Sequence, residues 1–153
     1  MIIELGKVSV FQGLSDEMLG KIAKFSKERA LHAGEILIAE HDKAGADLYV
    51  LCEGSVEVVS NSSTITSNEV ALSRLDKDIF GEVGWLCAGS RSATVRAIDK
   101  VEVIQIDGDK LKQMIFDNPE MGLALTFKIA QTLAERLTNT DSLLKQVLWN
   151  TGL

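Results

Sequence analysis

Proline, cysteine and histidine are all scarce in this chain: 153 residues include one proline, two cysteines and two histidines. The cysteines, Cys52 and Cys87, match neither a metal-ligand spacing nor a disulfide framework. Neither His32 nor His41 has a second metal ligand at a useful spacing, so no metal site is expected and a metal-dependent β-barrel enzyme is disfavoured. No Gly-x-Ser-x-Gly, His-Glu-x-x-His or Walker loop occurs, and no enzymatic activity is expected. Positive charge is also short. Sixteen Lys and Arg face 22 Asp and Glu, for a net charge of −6, which argues against a nucleic-acid partner. No run reaches the ~18 apolar residues of a membrane span. Met1–Leu5 carries Glu4 and no basic segment leads into an apolar run, so no signal peptide is read. A cytoplasmic setting with no membrane partner is expected.

What is present divides the chain into three parts. Residues 1–30 read as a helical segment, with Ser15 as N-cap, Asp16 and Glu17 in the first turn, and Leu14 and Leu19 as a hydrophobic staple. Lys21, Lys24 and Lys27 read as a wet face. Residues 31–107 change character: short Val/Ile/Leu-rich runs alternate with Gly, Asn, Asp and Ser. Strands are expected at Glu35–Ala39, Asp47–Cys52, Ser55–Val59, Glu69–Arg74, Ala93–Ala97 and Glu102–Ile106, with a hairpin loop at Asn61–Asn68. Such a series suggests a sandwich or barrel. Cys52 is expected to be buried, Cys87 exposed and Arg96 turned to solvent. Residues 108–153 return to helix, first over Asp109–Phe116 and then, after the restart signal Asn118-Pro119, over 119–149. Ala130, Leu133, Leu137, Thr140, Leu144 and Val147 alternate spacings of three and four, an a/d seam. One small barrel cannot cover a helix of roughly 45 Å at ~1.5 Å per residue, so this helix is expected to pair with a second copy.

The densest chemistry lies in residues 80–97, which contain Phe80-Gly81-Glu82-Val83-Gly84-Trp85 and Arg91-Ser92-Ala93-Thr94-Val95. A glycine-punctuated turn opening a helix aims backbone amides one way and forms an anion site. Arg91 can clamp a phosphate through two parallel hydrogen bonds, and Ser92 adds a hydroxyl. A carboxylate at Glu82 is repulsive beside a phosphate unless it has another task, such as accepting from a sugar hydroxyl. Trp85 reads as a packing residue at the rim.

These residues resemble the phosphate-binding cassette of the cyclic-nucleotide-binding domain family, with the nine-residue step from Glu82 to Arg91 found in protein-kinase regulatory subunits. Val10-Phe11-Gln12-Gly13-Leu14-Ser15, Gly34-Glu35-Ile36-Leu37 and the run from Leu48 to Val58 extend the resemblance over roughly residues 8–145. It implies a mainly β fold with flanking helices: an eight-stranded jelly-roll barrel with N-terminal helices and a long C-terminal helix. It also implies a ligand, cAMP or cGMP. Gly81 and Glu82 would meet the ribose, with Glu82 accepting from the 2′-hydroxyl. The amides of Val83 and Gly84 would face the cyclic phosphate, Arg91 would pair with its equatorial oxygens, and Ser92 and Ala93 would complete its contacts. Leu72 and Ser73 fall where relatives line the base pocket, and Thr140 and Asp141 where dimeric bacterial relatives set polar helix residues against the base. His41-Asp42 and Lys77-Asp78 depart from the family's two Gly-Asp turns, and Trp85 replaces a smaller aliphatic residue.

A hydroxyl serves either base, whereas a carboxylate only accepts and suits guanine. Thr140 lies on the seam and Asp141 should turn ~100° away, which favours cAMP. The leading expectation is a regulatory module whose ligand repositions the C-terminal helix, acting as a homodimer on an effector protein. Two other readings remain: a fragment or relative of a bacterial transcription activator without its helix-turn-helix, and a degenerate domain kept for dimerisation or protein contact.

Overall fold

The computed structural model describes residues 1–39, 47–61, 69–75, 79–87 and 93–150. The chain begins with helix α1 (Ile2–Lys7), a 3-10 turn at Ser9–Phe11 and α2 (Asp16–Lys24). Ser15 caps α2 as its side chain accepts from the Met18 amide at 3.2 Å. The strands among the described residues are β1 (Ser26–Leu31), β2 (Ile36–Ile38), β3 (Leu48–Glu53), β4 (Val56–Asn61), β5 (Glu69–Leu75), β6 (Ile79–Phe80), β7 (Thr94–Ala97) and β8 (Val101–Ile106). Helix α3 (Glu82–Cys87) sits between β6 and β7, and α4 (Gly108–Asp117) and α5 (Pro119–Asn150) end the chain.

The strands form two four-stranded sheets, ordered β1-β8-β3-β6 and β2-β7-β4-β5. Among the described residues no strand pair joins the two sheets. The β1–β8 sheet is the middle layer, and the period-two alternation of its strands makes it so. Leu48 and Val50 of β3, with Ile104 and Ile106 of β8, pack with Leu5, Phe11, Ile22, Leu111, Leu125 and Ile129 from the helices. The alternate residues Tyr49, Leu51, Val101 and Val103 face the second sheet through Ile38, Val56, Val95 and Ala97. Burial of both faces explains why β3 reads as a nearly unbroken apolar run.

Strand β1 overturns part of the helical reading of residues 1–30. Its sequence, Ser-Lys-Glu-Arg-Ala-Leu, has one buried residue, Leu31, and its hydrogen bonding to β8 rather than an apolar pattern makes it a strand. Arg96 is also corrected. It lies opposite Glu57 in the β4–β7 ladder and is ion-paired to it while half-buried, instead of turning to solvent. The expected loop at Asn61–Asn68 lies outside the described residues save Asn61, and His41-Asp42 and Lys77-Asp78 lie outside them altogether.

The restart at Pro119 holds. Asn118 ends α4 by donating its side-chain amide to the Met114 carbonyl at 2.9 Å. The two helices then cross so closely that a Cβ on Gly122 would collide with the Ile115 carbonyl. Along α5, Leu125 and Ile129 are buried and Leu133 packs partly against the same core, while Leu123, Phe127, Leu137, Leu144 and Leu148 are exposed. Most of the expected seam lies on the exposed side of α5, with Ala130, Leu137 and Leu144 exposed. Leu133 is taken up by the chain's own core, and Thr140 is exposed.

Candidate functional site

Strand β6 positions the site. Phe80 lies opposite Tyr49 of β3, and the two rings stack at 5.3 Å between centroids with planes 14° apart. The stack fixes the point at which the chain turns. Gly81 makes the turn at φ +83°, a conformation a side chain resists. Helix α3 starts at once, and its first turn closes with the Trp85 amide donating to the Gly81 carbonyl at 3.2 Å.

Glu82 is the first residue of α3 and is only 6% exposed, one of the two buried polar or charged residues among those described. Its carboxylate accepts from the Arg136 guanidinium of α5 at 2.6 Å. Arg136 also donates to the Ile79 carbonyl on β6. The arginine thus binds the cassette at two points, a charge-assisted bond to the carboxylate and a bond to the backbone just before the turn. Without a cation, the carboxylate would be buried at a cost of several kcal/mol. One turn further along α3, Trp85 is buried and its indole N–H donates to the Gly108 carbonyl at 2.8 Å. Gly108 begins α4, where Asp107 caps the helix by accepting from the amides of Asp109 and Lys110. Among the described residues no group of three or more His, Cys, Asp or Glu is placed to hold a metal, and no helix is long and apolar enough to cross a membrane.

The family model described as the cyclic nucleotide-binding domain matches residues 28–118, more than half of the chain. The chain belongs to this family. A cyclic nucleotide-binding domain from Methylobacillus flagellatus, 20% identical, superposes with a TM-score of 0.79 over 95% of this chain and 81% of its own. A protein of Geobacter metallireducens whose structure is named for cyclic nucleotide binding is 31% identical, with a TM-score of 0.67 over 84% of this chain and 91% of its own. In sequence, the CRP-like cAMP-activated global transcriptional regulator of Mycobacterium tuberculosis is 24% identical over 95% of this chain. The chain spans 62% of that regulator's length. A transcriptional regulator among the relatives does not fit the expectation that nucleic acid is no partner, so net charge alone does not decide that point.

Within the cyclic nucleotide-binding domain, Gly81, Glu82, Val83 and Gly84 form one compact corner. Glu82 and Gly84 are buried, and Val83 is exposed. Ala93 leads into β7. Leu72 and Ser73 lie on β5, with Ser73 opposite Val58 of β4. Arg91 and Ser92 lie outside the described residues. Thr140 and Asp141 are exposed on α5, and the Thr140 hydroxyl donates to the Arg136 carbonyl at 3.0 Å. The α5 side chain seen at the cassette is Arg136, one turn before Thr140, which the sequence reading did not name. Its four-residue spacing from Thr140 puts it on the same side of the helix, and a buried glutamate needs a cation; together these two signals could have found it.

Proposed function

We propose that this chain is a regulatory cyclic-nucleotide-binding module that prefers cAMP to cGMP and signals by repositioning α5. The observation that carries the reading is the Glu82–Arg136 pair. The carboxylate that would receive the ribose 2′-hydroxyl is buried at the start of α3 and is held by the long C-terminal helix. A nucleotide that engages Glu82 alters what Arg136 is bound to, so occupancy and helix position share one residue. Such competition supplies the differential affinity that any two-state shift requires.

In this proposal Gly81 and Glu82 take the ribose, and the amides of Val83 and Gly84 face the phosphate. Arg91 and Ser92 clamp the phosphate oxygens with Ala93 beside them, while Leu72 and Ser73 line the base. Thr140 reads the adenine edge. The preference for cAMP is supported by the name of the mycobacterial relative, and the Thr140 hydroxyl is compatible with the adenine edge. Asp141 is four residues from Leu137 and three from Leu144, so it shares the exposed stripe and would enter an interface formed there. Its acceptor-only carboxylate is the feature that would favour guanine. The exposed stripe also supports homodimerisation through α5, since one copy leaves Leu137 and Leu144 exposed. The action proposed is on an effector in the cytoplasm, with no chemical step.

Isothermal titration with cAMP and with cGMP tests the reading on the full chain and on Arg91→Ala. Saturable heat in the wild type, stronger for cAMP and lost in the variant, is expected. No heat with either nucleotide at millimolar concentration sinks it.

A further inference from the structure

We infer that Trp85 is a positioning residue, the pivot that keeps the first turn of α4 in register with α3 while α5 changes its hold on the cassette. The inference rests on the nucleotide reading above and concerns how that site is linked to the C-terminal helices. Glu82 and Trp85 are three residues apart on α3, hence on one side of it, and each reaches a different C-terminal helix. Glu82 reaches Arg136 of α5. Trp85 reaches the Gly108 carbonyl at the start of α4, and Lys112, one turn into α4, sets its ammonium over the indole ring at 5.8 Å from the centroid. On its other side Gly108 is held by its own amide, which donates to the Asp47 carboxylate at 3.2 Å.

The two tethers differ in what can displace them. Glu82 is a carboxylate for which a ribose hydroxyl competes with Arg136. The indole N–H of Trp85 is bonded to a backbone carbonyl in a buried contact, and no part of the proposed ligand competes for it. Ligand binding at Glu82 therefore loosens the α3–α5 tether and leaves the α3–α4 tether in place. The close crossing at Gly122 and Ile115 makes α4 and the start of α5 one packed unit. Motion of that unit relative to the cassette then turns about the Trp85–Gly108 contact.

Amide hydrogen exchange on the full chain tests this with three proteins: wild type, Trp85→Phe, and a variant with benzothienylalanine at position 85. The benzothienyl ring keeps the bicyclic shape and replaces the N–H with sulfur, so it reads the hydrogen bond even if the phenylalanine variant folds poorly. Without ligand, loss of the bond is expected to speed exchange over residues 108–112 by about tenfold, with the β-sheet amides unchanged. Exchange within about twofold of wild type over those residues overturns the pivot. With saturating cAMP or cGMP, wild type is expected to change exchange over residues 133–140 while residues 108–112 keep their ligand-free rate. The benzothienyl variant should bind within about threefold of wild type and change exchange over both 133–140 and 108–112. An identical response at 108–112 in the variant overturns the pivot. If wild type binds neither nucleotide, the ligand reading falls, and the ligand-free exchange by itself decides whether Trp85 ties α3 to α4.

Discussion

In the first half of α5, Leu125 and Ile129 are 0% and 2% exposed; in the second half, Leu137 and Leu144 are 63% and 55% exposed. Leu125, Ile129 and Leu133 of the first half repeat every four residues, Leu137, Thr140, Leu144 and Val147 of the second alternate three and four, and no break in the helix separates the halves. The first half lies on the middle sheet with the N-terminal helices, whereas the second has outrun the layer that could cover it. Spacing marks an apolar face, but the length of the neighbouring layer determines whether that face meets the chain's own core. Arg136 falls between the two regimes, where the core ends and the cassette begins.

The contrast between the halves breaks most readily at the core. Leu125→Ala is expected to cost about 2–5 kcal/mol in urea unfolding, whereas Leu144→Ala in the monomer should stay within about 0.5 kcal/mol. Equal losses would mean that the second half is covered within one chain. At the junction, Arg136→Leu removes the guanidinium from a buried carboxylate and is expected to cost about 1–3 kcal/mol, with part recovered in Arg136→Lys. An unchanged urea midpoint would show that the pair contributes nothing to the fold and would weaken the proposed link between nucleotide and helix. Leu137→Lys separates folding from association. The wild type is expected to sediment as two chains and the variant as one, with the monomer's stability changed by no more than about 0.5 kcal/mol. A wild-type mass of one chain at high concentration would remove the dimer.

The smallest effect concerns the two thiols. Burial first, and then the nearby Glu4, Glu28 and Glu102 carboxylates, raise the Cys52 thiol above its ordinary value, while the N-terminal ammonium pulls the other way. Cys87 is exposed and should react first with a thiol reagent at neutral pH. Because the folded chain holds the Cys52 proton more tightly than the unfolded chain, its contribution to stability is complete below the ordinary thiol pKa of about 8.5. That contribution is lost as pH rises through the raised folded value. Melting temperatures should therefore fall more steeply above that pH in wild type than in Cys52→Ala; parallel slopes would contradict this.

Much of the fold was legible because its signals are local. The Ser15 cap, the Asn118-Pro119 restart and the apolar runs of β3 and β8 each depend on residues adjacent in the chain. The turn at Gly81 and the start of α3 at Glu82 were legible for the same reason, since they lie in one short stretch. Strand β1 was hidden because an edge strand exposed along most of its length needs no apolar pattern, only the β8 ladder. Arg96 was misjudged because its partner, Glu57, lies on another strand, so alternation within β7 could not show it.

The sequence by itself determined where the chain turns, caps and restarts, and which short stretch carries a carboxylate beside glycine amides. Backbone conformation and helix boundaries follow from neighbouring residues, so they are settled before anything distant is in place. Tertiary structure decided which α5 leucines the core takes up, which cation meets Glu82 and which carbonyl receives the Trp85 indole. Each of these is a contact between residues far apart in sequence, where burial leaves a polar group dependent on whichever partner the packing brings.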